Sequence, residues 1–175
     1  MIGVTYYVAA SLDGFIAESD GGIDWLDVAE AGDEDYGYAE FFAGVDCLAM
    51  GRATFDVAMG YGSWLYGEHP CWVWTHRPID NAPEPVRITT KPPVEVVAEA
   101  EAAGLRHLWL VGGGQLATAF RDAGLVTRMI VSVIPTTLGR GLPLFAASKE
   151  RQDLQLEDCR RYDSGVVQLN YAVKP

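Results

Sequence analysis

Basic residues are scarce in this chain. Only 13 Lys and Arg stand against 24 Asp and Glu, leaving a formal charge of −11, and a surface so poor in cations is unsuited to neutralising a phosphate backbone. Nucleic acid is therefore excluded as a partner. Cysteine is scarcer still: Cys47, Cys71 and Cys159 are odd in number, far apart and without a CxxC pair, so neither a disulfide framework nor a metal site is expected. They read as reduced thiols in or near the core. No stretch approaches the roughly 20 apolar residues of a membrane span, and the N-terminus lacks the basic region, apolar run and cleavage site of a secretory leader. No membrane partner is expected, and the cytoplasm is the expected location. What is present is ample apolar material, 49% of 175 residues, enough for one domain over residues 1–175 with its own core.

The chain is organised around the stretch from Arg106 to Phe120, an apolar run that stops at Gly112, Gly113 and Gly114 and resumes with helical spacing. That is a strand, a tight turn and a helix. Bare glycine amides at the positive end of a helix suit a phosphate, although the same glycines also suit a sharp turn with close helix–sheet packing. The spacing Gly112-x-Gly114-x-x-Ala117 imitates a Rossmann fingerprint, but no acid follows about 20 residues later to hold a ribose. The strand from Arg128 to Ile134 runs straight into Pro135 instead.

The same plan occurs earlier. Val45 to Met50 reads as a strand, and Gly51, Arg52, Ala53 and Thr54 open a helix with a cation and a hydroxyl at its start. A cation there opposes the helix dipole unless an anion lies nearby. A third strand, Cys71 to Thr75, leads into His76 and Arg77, and a fourth, Val86 to Thr90, into Lys91. Scarce basic residues thus gather at strand ends, where open α/β sheets hold ligands. Before them come an opening strand, Ile2 to Ala10, a turn at Asp13 and Gly14, an apolar dip at Phe15 to Ala17, and an acidic segment, Asp27 to Gly44, that predicts one helix starting near Asp33 to Asp35. After Pro135, a glycine-rich connection leads to a β-hairpin turning at Asp163 to Gly165. The order predicts an α/β protein, a mainly parallel sheet with an antiparallel edge.

With Ala9 to Ala17, Leu48 to Phe55, Trp74 to Arg77, Val111 to Gly114 and Ile134 to Gly141 in this order, the chain resembles the dihydrofolate reductase-like superfamily. Within it, the chain is most similar to the reductase domain of the riboflavin-biosynthesis deaminase-reductase and its stand-alone relatives. No deaminase zinc motif is present. The resemblance implies a three-layer α/β/α fold with a central sheet of about eight strands, NADPH as hydride donor, and a homodimer. By position it puts Ala9 and Ile16 beside the nicotinamide and Ser19 to Gly22 in a covering loop. Gly51, Arg52, Ala53 and Thr54 would meet the pyrophosphate and adenosine side, and Thr75, His76 and Arg77 the adenine and 2′-phosphate. Val111, Gly113, Gly114, Gln115 and Leu116 would complete the pyrophosphate grip.

On the substrate side the resemblance offers Ser132 as a contact and Asp35 as the catalytic carboxylate, although on residue type alone acids in a first turn are more often helix caps facing water. The implied reaction is hydride transfer to a C=N or C=O carbon of a small heterocyclic or sugar-derived compound, with dihydrofolate and 5-amino-6-ribosylamino-uracil phosphate as guides. The rival reading is a regulatory NADPH-binding protein without a substrate pocket.

Overall fold

The computed structural model describes residues 1–30 and 34–174. Its strands and helices follow in chain order as β1 (Gly3–Ser11), β2 (Phe15–Ala17), a 3-10 turn at Asp24–Leu26, α1 (Asp27–Glu30), α2 (Tyr38–Ala43), β3 (Cys47–Gly51), α3 (Arg52–Gly60), β4 (Cys71–Trp74) and β5 (Val86–Thr89). The second half supplies α4 (Pro93–Ala102), β6 (His107–Gly112), α5 (Gly114–Asp122), β7 (Arg128–Ile134), β8 (Leu142–Pro143), β9 (Leu154–Arg161) and β10 (Val167–Val173). Eight strands make one sheet in the order β5-β4-β3-β6-β1-β7-β10-β9, and β2 and β8 form a separate ribbon. From β5 to β7 all neighbours are parallel, whereas β10 and β9 are antiparallel. The expected mainly parallel sheet with a terminal hairpin is present.

Each face of the sheet buries its own core. Against α4 and α5, Tyr6, Leu108 and Leu110 pack with Val96, Ala100 and Phe120. On the opposite face Leu48, Met50 and Val73 pack with Phe55 of α3, Trp109 of β6 and the half-buried Phe41 and Phe42 of α2. Central strands covered on both faces lose the in–out alternation of a surface strand, which is why β3 and β4 read as unbroken apolar runs. α4 starts with proline at its first position, where no intrahelical N–H bond is lost.

Two expectations need correction. The helix expected to start near Asp33 to Asp35 is α2, which begins only at Tyr38, and a separate short helix, α1, precedes it. Tyr36 and Gly37 adopt left-handed backbone, with φ of 55° and 76°, which a right-handed helix cannot continue through. The Asp35 carboxylate then accepts the Gly37 and Ala39 N–H groups at 2.9 and 3.1 Å. A carboxylate on otherwise orphaned amides starts α2 afresh. Asp33, the other acid expected at the helix start, lies outside the described residues. Cys159 is the second correction: it is exposed on the edge strand β9, while Cys47 and Cys71 are buried.

Two glycines mark where backbones meet. A β-carbon on Gly114 would overlap the Pro143 carbonyl oxygen, and one on Gly141 would overlap that of Ala17. Backbone cannot yield as a flexible side chain can. Gly114→Ala and Gly141→Ala are each expected to lower stability by about 1–3 kcal/mol, the usual cost of overpacking. Gly60→Ala, at a helical position with open space around the new methyl, should instead be neutral or stabilising by up to about 1 kcal/mol. Urea midpoints for the three variants test this ordering.

Candidate active site

Helices α3 and α5 start side by side. They follow β3 and β6, which are neighbours in the sheet. From β3 the chain proceeds to β4 and β5 on one side, and from β6 it crosses by α5 to β7 on the other. The crevice between them is therefore the point where the winding reverses, and open α/β sheets receive ligands there. The N-caps Gly51 and Gly113 supply no side-chain cap, so the first-turn amides face a ligand unshielded. A β-carbon on Gly51 would stand 3.8 Å from the Gly113 nitrogen, a measure of how closely the two helix starts approach.

A groove of about 620 Å³ lies along these termini. Gly51, Arg52, Ala53 and Thr54 line one side, Gly113, Gly114, Gln115 and Leu116 the other, with Trp74, Leu142 and Pro143 as walls. Volume, paired helix starts and glycine backbone suit a dinucleotide with two phosphates. The Arg52 charge is already balanced: its Nε donates to Asp56 at 2.7 Å, and its guanidinium also reaches the Pro78 carbonyl at 3.0 Å. Arg52 thereby ties α3 to the turn after β4. Within that turn Thr75 accepts the Arg77 N–H at 3.0 Å. His76 and Arg77 are exposed, and none of Thr75, His76 and Arg77 is part of the groove lining. Val111 packs in the core on the α3 side.

A loop from Leu12 to Gly22 packs against the connection after β7, outside the groove lining. Its strand β2 pairs with β8, and Asp13 binds it to the connection after β7, accepting the Leu138 and Gly139 N–H groups at 3.1 and 2.7 Å and the Ser11 hydroxyl at 2.6 Å. The Ser11 hydroxyl, followed by these amides, holds the Asp13 carboxyl below the ordinary value of 3.8. Ile16 from this loop would contact a β-carbon on Gly113 at 3.8 Å, so the loop reaches the glycine turn.

A second cavity of about 320 Å³ is lined by residues of β1 and β7. Ala9, Asp35 and Ser132 all line it, together with Tyr7, Tyr36, Tyr38, Trp109 and Glu34. β1 and β7 pair in parallel with Ala9 opposite Ser132 and Tyr7 opposite Ile130, and alternation turns these residues to one face. Gln168 from β10 fixes this wall: its Nε2 donates to Tyr36 O at 3.0 Å, to Ser132 Oγ at 3.1 Å and to Tyr7 Oη at 3.3 Å. Burial pushes the Tyr7 phenol up to about 12, so it remains a proton-bearing donor, and it bonds the Tyr36 carbonyl at 3.2 Å. Asp35 is the opposite case. Its Gly37 and Ala39 amide bonds hold the carboxyl below 3.8, and it is exposed where the cavity opens.

Tyr7, Tyr36, Tyr38, Trp109, Glu34 and Gln168 are missing from the sequence reading. Tyr7 and Trp109 sit inside apolar strand runs that look like core. The period-two alternation of β1, taken with that of β7, would have placed Tyr7 and Ala9 on the face of Ser132.

Residues 61–168 match the family described as the RibD C-terminal domain. The chain belongs to that family. It is 34% identical over 166 residues to the uncharacterized protein YwjB of Bacillus subtilis (strain 168), covering 94% of both chains. A crystal structure from Shewanella sp. PV-4, described as a candidate riboflavin biosynthesis protein, is similar over the full length of both chains, with a TM-score of 0.89 and 26% identity. Dihydrofolate reductase from Enterococcus faecalis, solved with NADP(H) and RAB-propyl, shares the fold at a TM-score of 0.69 and 17% identity, over 99% of this chain and 97% of that one. The dihydrofolate reductase-like fold and the RibD reductase-like family are those expected from the sequence motifs, and they support a reductase-type function. Among the described residues no helix is long and apolar enough to cross a membrane.

The Asp13 contacts predict a local effect. Asp13→Ala removes the acceptor of two amides 125 and 126 residues away, so the Leu138 and Gly139 N–H groups should exchange with deuterium faster while amides of β6 keep their protection. The lowered carboxyl of Asp13 contributes stability above about pH 4, lost as pH falls through its folded-state value. The wild-type loop should therefore loosen in acid and the variant should show no such transition.

Proposed function

We propose that the protein is an NADPH-dependent reductase that transfers a hydride to a C=N or C=O carbon of a small heterocyclic or sugar-derived substrate. The observation that carries this reading is the pair of uncapped helix starts at Gly51 and Gly113, which border a groove of about 620 Å³, together with a separate aromatic cavity. A dinucleotide fits the first and a small ring the second.

In this reading the amides of Gly51 to Thr54 and of Gly113 to Leu116 hold the pyrophosphate, and the helix dipoles favour its charge. Thr75, His76 and Arg77 serve the adenosine end, to which Arg52 is linked through the carbonyls after β4. Bound NADPH supplies the hydride and is oxidised to NADP⁺. Ala9 and Ile16 border the nicotinamide, and the loop from Leu12 to Gly22 limits entry of water. Tyr36, Tyr38 and Trp109 form an apolar wall that positions the acceptor. Ser132 offers a hydroxyl whose oxygen already accepts Gln168, so its own proton is directed to a substrate acceptor. Asp35 is held ionised and orients a donor group on the substrate, while water delivers the proton to the heteroatom left negative by hydride arrival. A homodimer in the cytoplasm goes with this reading, through β9, which has β10 as its one neighbour in the sheet.

Gly113 gives a clean test. A β-carbon there meets nothing nearer than Thr54 Oγ1 at 3.7 Å, so Gly113→Ala should fold with near wild-type stability yet crowd the pyrophosphate. NADPH should raise the melting temperature of the wild type, and the variant should bind at least about tenfold more weakly. At NADPH equal to about 100 times the wild-type Kd, the stabilisation then drops from about 2.7 to about 1.4 kcal/mol. Unchanged affinity in Gly113→Ala would sink the two-helix grip, and NADPH oxidation with no member of a panel of pterins, ribosylaminopyrimidines and carbonyls would sink the enzyme.

A further inference from the structure

The aromatic cavity is unusual in what surrounds it. Tyr7, Tyr36, Tyr38 and Trp109 supply its rings, and the exposed Glu34 and Asp35 stand where it opens. No Lys, Arg or His is among its described lining residues.

Arg128 and Arg160 line a different, polar cavity that shares only Tyr7 and Tyr36 with this one. Each is engaged by an acid, Arg128 by Glu157 at 2.9 Å and Arg160 by Asp158 at 2.7 Å. A phosphate in the aromatic cavity would thus leave water for a site that offers it carboxylates and no guanidinium. Both charge and desolvation oppose it.

The rings favour the opposite kind of ligand. Tyr38 and Trp109 lie 5.8 Å apart at 66°, and Tyr7 and Trp109 6.3 Å apart at 40°, so the lining rings offer planes of differing tilt for aromatic contact. Flat conjugated rings gain from such contacts, and ring faces attract cations. The volume of about 320 Å³ is at the low end for small-molecule sites and suits one or two fused rings.

Building on the reductase reading above, the geometry points to a substrate that is a small planar conjugated ring, neutral or cationic, with no phosphate or carboxylate on the part that enters the cavity. This excludes 5-amino-6-ribosylamino-uracil phosphate and favours unphosphorylated heterocycles. Selection comes from Glu34 and Asp35 at the opening and from the four rings within, and Glu34 acts as a specificity residue.

Calorimetric titration of the full chain, with and without saturating NADPH, tests this with two matched pairs: 6-methylpterin against pterin-6-carboxylate, and 5-amino-6-ribosylaminouracil against its 5′-phosphate. In each pair the uncharged member should bind at least about tenfold more tightly, the scale expected of one charge repulsion near a protein surface. Glu34→Lys should narrow the gap by strengthening the anionic members. Equal or tighter binding of an anion in either pair overturns the proposal, as does failure of both uncharged members to bind. The NADPH-induced rise in melting temperature is read on the same samples. Its absence with the preference for uncharged rings intact refutes the dinucleotide reading alone, and its presence with anions preferred refutes the substrate class alone.

Discussion

At residue 114 there is no room for a side chain. The carbonyls of Pro143 and Leu144 occupy the place a β-carbon would take, so the first residue of α5 packs backbone to backbone against the connection after β7. The rest of the site follows from that contact. The connection is held there because β8 pairs with β2 and because Gly141 slips beneath the Ala17 carbonyl. The loop before β2 is in turn fastened by Asp13 to Leu138 and Gly139. A helix start, a loop and a long connection thus form one rigid unit at one flank of the groove, and the other flank is set by α3, whose N-cap Gly51 is close to Gly113.

The aromatic cavity has a different foundation. It is built on paired strands, where side-chain direction is fixed by register: Ala9 faces the same side as Ser132 because their strands pair at those residues. β10 contributes from the antiparallel end, with Gln168 opposite Ser132. One primary amide there joins Ser132, Tyr36 and Tyr7. A buried hydrogen-bond network specifies its geometry tightly, and this one joins the sheet to the turn that carries Asp35. The groove depends on backbone and glycine, the aromatic cavity on side chains. Residues can change in the cavity without disturbing the groove.

That division also explains what could be read from the sequence. β1, β3, β4, β6, α4, α5 and the terminal hairpin announce themselves through local signals, namely apolar runs, Gly or Pro at helix ends, and alternation around Asp163 to Gly165. The two glycine turns are local as well, so both flanks of the groove were visible before any tertiary contact was known. The cavity was not, since Tyr7, Trp109 and Gln168 come from three strands far apart in sequence and each looks like ordinary core or strand. The break at Tyr36 and Gly37 escapes local signals because a glycine inside an alanine-containing acidic segment is compatible with a helix, and only the left-handed backbone at both residues excludes it. Arg52 shows a subtler limit. Its position opposing the helix dipole suggested an external anion, yet Asp56 one turn later satisfies the charge.

The tie through Asp13 has an implication for how this scaffold tolerates exchange. Residues 11–17 and 136–144 are distant in the chain but share a carboxylate, a ribbon and a glycine beneath a carbonyl. A chimera that imported either segment alone from a relative would combine a donor set with a foreign acceptor, whereas importing both together would keep the joint intact. The two segments therefore behave as a single inherited cassette, and recombination across this fold should succeed at breakpoints that move them as a pair.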